Sequence, residues 1–149
     1  MKLKVFFWLL LQDRLNTKDM LRRRRIITSD VEGCCILCED NEGETCMHLF
    51  IKCRFSVACW ARIGIFWPHR DTVIEGVEAI KPRLRMKFSM EIIVTGAWSI
   101  WLHRNNCTFR HEIPSINSWL NQFTAALKTQ SQRCNPSLRE LILEWISNL

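Results

Sequence analysis

The sequence predicts a mainly α-helical protein, and three features of its 149 residues favour this fold class. Helix breakers are scarce, with five Gly and four Pro. Apolar residues recur at helical spacing in several segments, and no run alternates apolar and polar residues as strands do. Hydrophobic residues make up 48% of the chain, including seven Trp and eight Phe, which is enough to build a core. We therefore expect a folded helical protein rather than a disordered chain.

The N-terminal part of the chain predicts three helical stretches and one loop. The first stretch is apolar almost all round, which predicts burial on most of its sides. The second begins at Thr17, a good N-cap, and has Asp19 in its first turn, as the helix dipole favours. The polar, acidic segment that follows predicts a loop, and the next helix can start at Thr45. The predicted helices are 4–15, 17–27 and 45–67, and the loop is 28–44.

The C-terminal part predicts three longer helices after an uncertain segment. A short helix between two loops is expected within 68–87, where Gly and Pro interrupt the pattern. Apolar residues at i, i+3/i+4 and i+7/i+8 then predict helices over 89–106, 115–132 and 137–149. We assign the chain to three regions and expect three of its tryptophans in the core. The regions are 1–67, the linker 68–87 and the helical region 88–149, and the tryptophans are Trp8, Trp60 and Trp98.

The net charge of +6 is unevenly distributed along the chain. Residues 1–27 have eight Lys and Arg against two Asp, whereas residues 28–53 have six acids against Lys52. Residues 54–88 are basic again, with seven bases against three acids. The run Arg22, Arg23, Arg24 and Arg25 and the bases at 81–87 can attract nucleic-acid phosphates without sequence preference. A solvated helix face explains the same arginines equally well.

Targeting signals are weak. Seven apolar residues follow the first lysines, at the lower limit for a signal peptide, and no small-residue cleavage site is near. The longest later apolar run, 92–102, contains Thr and Ser and is shorter than the ~20 residues that cross a bilayer. We expect an intracellular protein of the nucleus or cytoplasm, neither secreted nor in a membrane. In a reducing compartment, clustered cysteines favour metal sites or thiols over disulfides.

Four residues have the spacing of a metal site: Cys35-x2-Cys38-x9-His48-x4-Cys53. A Cys-x2-Cys pair presents two thiolates on one tight turn, and a second pair completes the tetrahedral shell that Zn²⁺ prefers. Three thiolates and one imidazole leave no position for water, which is typical of structural rather than catalytic zinc. Because His48 and Cys53 lie about 140° apart on an ideal helix, Cys53 is expected at a helix end.

Spacing alone leaves alternatives open. Eight cysteines in 149 residues produce some Cys-x2-Cys pairs by chance, and buried thiols or disulfides remain compatible with the pattern. Cys34 duplicates the first ligand position, and Cys46 is an extra thiol near the site that suits ligand exchange. A secreted disulfide-rich protein is the second interpretation. An enzyme with Cys53 or Cys46 activated by His48 is the third, although the acidic surroundings disfavour a reactive thiolate.

Two stretches, "VFFWLLLQDRLNTKDMLRRRRI" and "CILCEDNEGETCMHLFIKCRFSVACW", carry a family resemblance. Together they resemble the reverse transcriptase zinc-binding domain of plant non-LTR (LINE-type) retrotransposon polyproteins. The later segment "WSIWLHRNNCTFRHE" is similar to the region that follows this domain in plant relatives. The positions that match are Phe6, Trp8, Thr17, Leu21, Arg24, Cys35, Cys38, Glu44-Thr45, His48-Leu49-Phe50, Cys53 and Trp60.

The resemblance implies a small helical domain with an inserted Cys3His zinc-binding loop, followed by C-terminal helices. It implies Zn²⁺ as cofactor, bound by Cys35, Cys38, His48 and Cys53. No polymerase motif of paired aspartates is present, and 149 residues do not hold a polymerase beside this domain. We therefore expect a non-catalytic structural zinc module, a detached part of a retrotransposon polyprotein. Its expected partner is RNA or DNA, bound nonspecifically, and no small-molecule substrate is expected.

Overall fold

The computed structural model describes residues 2–29 and 32–149, and within these ranges the protein is helical, as predicted. The described residues form no strand, and a single β-bridge joins Cys34 to Gly43. Asp30 and Val31, part of the predicted loop 28–44, lie outside the described residues, as does Met1. The α-helices are α1 Lys2–Leu11, α2 Lys18–Arg23, α3 Arg54–Arg62, α4 Val73–Ile80, α5 Ser89–Arg110, α6 Ile116–Ser131 and α7 Pro136–Ser147. A π turn, His48–Lys52, precedes α3, and a 3-10 turn, Lys81–Leu84, follows α4.

Capping side chains define several helix starts, among them Thr17, the N-cap that the sequence predicted. The side chains of Thr17, Ser115 and Asn135 accept hydrogen bonds from the first-turn N–H groups of α2, α6 and α7. Helix ends were harder to predict. α1 stops at Leu11, four residues early, and Asp13 has φ 53° just after it. α3 stops at Arg62, because Gly64 takes φ 76° and turns the chain.

α5 is the central helix of the fold. It packs against α1 and α6, while α6 in turn packs against α3 and α7. Its buried residues surround most of its circumference, including the polar Thr95, Ser99, His103 and Arg104. The buried side chains of the N-terminal and C-terminal helices join in one cluster. The division into the regions 1–67, 68–87 and 88–149 comes from the sequence pattern alone, and it stays a prediction that these regions are separate units.

Trp60 is the centre of the core. It is 1% exposed, and its indole N–H donates to the Phe50 carbonyl over 2.7 Å. Its ring packs edge-on against Trp67 and Trp119. A Cβ at Gly96 would lie 2.5 Å from this ring, so α5 approaches Trp60 this closely only because residue 96 is glycine.

The three tryptophans predicted for the core have different surroundings. Trp60 is buried, as predicted, and Trp98 is partly buried against Phe6 at 5.1 Å between ring centroids. The prediction for Trp8 is wrong, because its side chain is 54% exposed. Val5 is also 54% exposed, so the expectation that α1 is buried on most sides is wrong too. The α1 face with Phe6, Phe7 and Leu10 is buried in the core, and Leu9 and Leu11 are partly buried against it.

Replacement of Trp60 by alanine should lower the free energy of unfolding by about 3–5 kcal/mol, since it removes a fully packed ring and leaves a cavity. Trp8→Ala is the matched control and should cost less than about 1 kcal/mol, because that ring is largely solvated. Urea unfolding curves measure both values. Equal losses for the two variants would contradict this description of the core.

Candidate metal centre

The four predicted side chains come together in space. The Sγ atoms of Cys35, Cys38 and Cys53 and a ring nitrogen of His48 all lie within 4.8 Å of one another. Cys53 and Cys35 are buried, at 0% and 5% exposure, whereas Cys38 and His48 are half-buried. The group therefore has a buried side made by two thiols and an accessible side through which an ion can enter.

A short chain reversal, closed by the bridge between Cys34 and Gly43, presents the first pair of thiols. The Cys35 N–H donates to the Glu42 carbonyl over 2.8 Å, and the Glu44 N–H donates to the Gly33 carbonyl over 3.0 Å. Between these bonds the chain reverses, with Asn41 at φ 52°, a conformation that Asn adopts more readily than most residues. This turn places Cys35 and Cys38 beside the helical segment that holds the other pair.

The π turn explains how His48 and Cys53, five positions apart in the chain, can both face the metal site. The Cys53 N–H donates to the His48 carbonyl over 2.6 Å, an i+5 to i bond that widens the backbone turn. Cys53 then leaves helical geometry with ψ 129° and becomes the residue before α3, as the expectation of a helix end required. The Thr45 hydroxyl accepts from the His48 N–H over 3.0 Å and fixes the start of this segment.

The distances fit a tetrahedral ion with sulfur and nitrogen ligands. With Zn–S near about 2.3 Å and Zn–N near about 2.0–2.1 Å, a tetrahedron has edges of about 3.8 Å between sulfurs and about 3.5 Å between sulfur and nitrogen. The Sγ atoms of Cys35 and Cys53 are 3.9 Å apart. Cys38 Sγ lies 3.4 Å from His48 Nε2. The residues present therefore suit a metal ion of this kind.

The Cys53 sulfur is the most acidic of the group. Its hydrogen bond with the Cys35 thiol lowers its pKa to about 4, and His48 and the N–H groups of Phe55 and Ser56 act in the same direction. The pairing with Cys53 correspondingly raises the pKa of Cys35. Burial raises the pKa of Cys38. One thiolate is thus present at neutral pH before an ion binds, and binding must displace protons from the other two thiols.

The other cysteines lie outside the group. The Cys34 thiol donates to the Asn41 carbonyl over 3.4 Å on the turn itself. Cys46 is 1% exposed, and burial, followed by the nearby Asp13, raises the pKa of its thiol. Cys46 is not among the side chains that meet within 4.8 Å, so the structure offers no support for the expected ligand exchange. No disulfide joins any of the eight cysteines, all of which are described.

The four arginines of the predicted nucleic-acid surface do not join this group. Arg22, Arg23, Arg24 and Arg25 are all exposed at the end of α2 and just beyond it. Arg23 pairs with Asp19 at 2.7 Å and with Asp13 at 3.3 Å. Arg24 donates to the Asn16 side chain over 3.0 Å.

A buried ion pair beside the metal group was not predicted from the sequence. Arg104 of α5 donates from Nε and Nη2 to the carboxylate of Glu44, with the shortest distance 2.6 Å. A signal for it exists in the sequence. Arg104 continues the spacing of the buried residues Ile93, Ala97 and Ile100, and a charge on a buried helix face requires a buried partner.

In the metal-free protein, lowering the pH from 7 should protonate one thiolate with a midpoint of about 4, because the pKa of Cys53 is below its ordinary value. Thiolate absorbance in the ultraviolet follows this titration. Cys53→Ser should remove the signal, whereas the control Cys34→Ser should retain it. Metal-free protein without thiolate absorbance at pH 7 would contradict this assignment.

Comparison with known proteins agrees with the geometry. Residues 1–60 match the model of the family described as zinc-binding in reverse transcriptase. A search of curated proteins found no match to the chain. A search of solved structures found none either. The matched range contains all four residues of the Cys3His group. Residues 1–60 are therefore similar to the zinc-binding modules of this family.

Proposed function

We propose that this chain is a non-catalytic zinc protein, in which one Zn²⁺ fixes the loop between α2 and the π turn. The observation that carries the proposal is the convergence of Cys35, Cys38, His48 and Cys53 at tetrahedral spacing. Three thiolates and one imidazole are a preferred ligand set for structural zinc. When bound, the ion supplies a rigid four-way cross-link, and the protein holds it between two backbone segments.

The same geometry argues against a catalytic thiol. The Cys53 sulfur is fully buried, and the His48 ring nitrogen lies against Cys38 Sγ. A catalytic cysteine needs a thiolate that a substrate can reach. In a four-ligand site the ion also has no open position. We therefore propose that the chain turns over no substrate.

Several features support an intracellular protein derived from a retrotransposon polyprotein. The match of residues 1–60 to a module named for reverse transcriptase supports a relation to such polyproteins. The sequence motifs themselves resemble the plant non-LTR type. Thiolate ligands persist in reducing compartments, which supports a location in the nucleus or cytoplasm.

Among the helices that the structure describes, none combines the length and apolar character needed to cross a bilayer.

Nonspecific nucleic-acid binding is the second part of the proposal. The arginine run 22–25 is exposed, and so are the second set of bases, Lys81, Arg83, Arg85 and Lys87. Exposed cations bind phosphates by releasing counterions, without reading base sequence. Arg23 already contacts two carboxylates, which reduces the positive charge that its side chain offers to a phosphate.

The purified chain should bind one zinc ion, and cobalt in the same site should give the strong visible absorption of a tetrahedral thiolate complex. Cys38→Ser and Cys53→Ser should each abolish tight binding, since three ligands leave the shell incomplete. Cys34→Ser changes a neighbouring thiol and is the matched control, which should bind normally. Metal content, thiol titration and the cobalt spectrum measure these outcomes. A site lost in Cys34→Ser and kept in Cys35→Ser would show that the ligand assignment is wrong.

Affinity for RNA or DNA should fall steeply as salt rises and should depend little on sequence. Serine at all four positions 22–25 should weaken binding and flatten the plot of log affinity against log salt, by about 0.9 per lost phosphate contact on duplex DNA. The control replaces three exposed bases of the C-terminal region, Lys128 in α6, Arg133 in the turn after it and Arg139 in α7, by serine. Fluorescence anisotropy across a salt series measures both. An equal loss of affinity in the control would show that binding depends only on total charge, and it would contradict a defined binding surface at residues 22–25.

A further inference from the structure

Glu44 and Arg104 form a fully buried ion pair between the metal loop and the central helix. Glu44 is 0% exposed and Arg104 is 4% exposed. Their contacts are 3.2 and 3.1 Å from Nε and 2.6 Å from Nη2. The Lys18 N–H at the start of α2 donates to the same carboxylate over 3.0 Å. The Arg104 guanidinium also lies over the Trp101 ring, 5.2 Å from its centroid.

Glu44 is connected to both halves of the metal site. Its own N–H donates to the Gly33 carbonyl, which holds the turn that presents Cys35. The next residue, Thr45, accepts from the His48 N–H through its hydroxyl. A shift of the Glu44 backbone would therefore move one thiol ligand and the imidazole ligand relative to each other.

A buried ion pair of this kind restricts the geometry of its two partners more than it adds to the net stability of the protein. Removing two charges from water costs about as much as their attraction returns, so a buried pair adds little stability of its own. A single remaining partner is strongly disfavoured, however, and the bidentate guanidinium accepts only a narrow range of carboxylate orientations. The pair thus allows one docking geometry for the loop on α5 and penalises others.

We propose that Arg104, which lies outside the matched range 1–60, is a positioning residue for the metal centre. Through Glu44 it holds the two ligand-bearing segments in register before an ion binds. The functional zinc module then includes part of α5, in addition to the loop and the π turn. This inference rests on the proposed zinc function, and it predicts that changes in α5 alter metal retention.

The test measures the rate at which a chelator removes cobalt or zinc from the full chain. Arg104→Met keeps the apolar volume, Glu44→Gln keeps the shape, and Arg104→Lys keeps the charge without the bidentate fork. Each of the first two should speed metal loss by about 10- to 100-fold, as changes beside metal ligands do. Arg104→Lys should give an intermediate rate. The double variant should resemble the single ones, because both remove one shared interaction.

Two controls separate positioning from loss of fold. Arg54→Met removes the exposed ion pair between Arg54 and Asp40 of the metal loop, whose nitrogen and oxygen atoms are 3.0 Å apart. This change should leave the rate of metal loss unchanged. Ile142→Ala weakens the core in α7, which packs on α6, and should lower stability without changing the cobalt spectrum. Circular dichroism establishes that each variant is folded, and the cobalt spectrum should broaden or weaken only in the Glu44 and Arg104 variants.

Different results test the positioning role of Arg104 and the zinc function of the chain. Faster metal loss and an altered spectrum in the Glu44 and Arg104 variants alone would support the positioning role. Unchanged rates in these variants, or an equal acceleration in Ile142→Ala, would overturn it. Failure of the unmodified chain to give a tetrahedral thiolate spectrum would instead overturn the zinc function on which the inference rests.

Discussion

The loop between α2 and the π turn must be fixed by polar groups, because it offers little apolar surface for burial. Among the loop residues that the structure describes, few side chains are buried, and Leu37 and Cys35 are two of them. Hydrophobic burial stabilises by about 25 cal/mol per Å² of apolar area. Because the loop buries little apolar area, this stabilisation does not offset the entropy cost of ordering the loop. Two polar connections replace it. One is the Cys3His group, and the other is the ion pair of Glu44 with Arg104.

α5 links these connections to the rest of the molecule. Gly96 allows it to lie against Trp60, and Arg104 binds the loop two turns later. Between them, His103 accepts the Ser115 N–H over 3.0 Å and so attaches α5 to the start of α6. Burial lowers the pKa of His103, which keeps the ring neutral and able to accept this bond at neutral pH. One helix therefore positions the aromatic core, the metal loop and the C-terminal helices.

Local sequence signals predicted the elements well, and non-local ones were not accessible in the same way. Caps such as Thr17 and Ser115 act over three residues, so they are visible in the chain itself. The exposure of Trp8 depends on whether another element covers α1, which composition does not reveal. The four candidate ligands were predicted from their spacing and a family resemblance, and their side chains lie close together. The π turn that precedes Cys53 was not predicted, because no local sequence signal indicated it. The partner of Arg104 lies 60 positions away along the chain, beyond any periodic pattern.

X-ray absorption at the zinc edge directly measures which atoms surround the ion. For the zinc-loaded chain we expect three sulfur neighbours at about 2.3 Å and one imidazole nitrogen at about 2.0–2.1 Å. That shell corresponds to Cys35, Cys38, Cys53 and His48. A shell of four sulfurs would place Cys34 or Cys46 on the ion in place of the histidine. A shell of oxygen atoms would contradict the structural zinc site altogether.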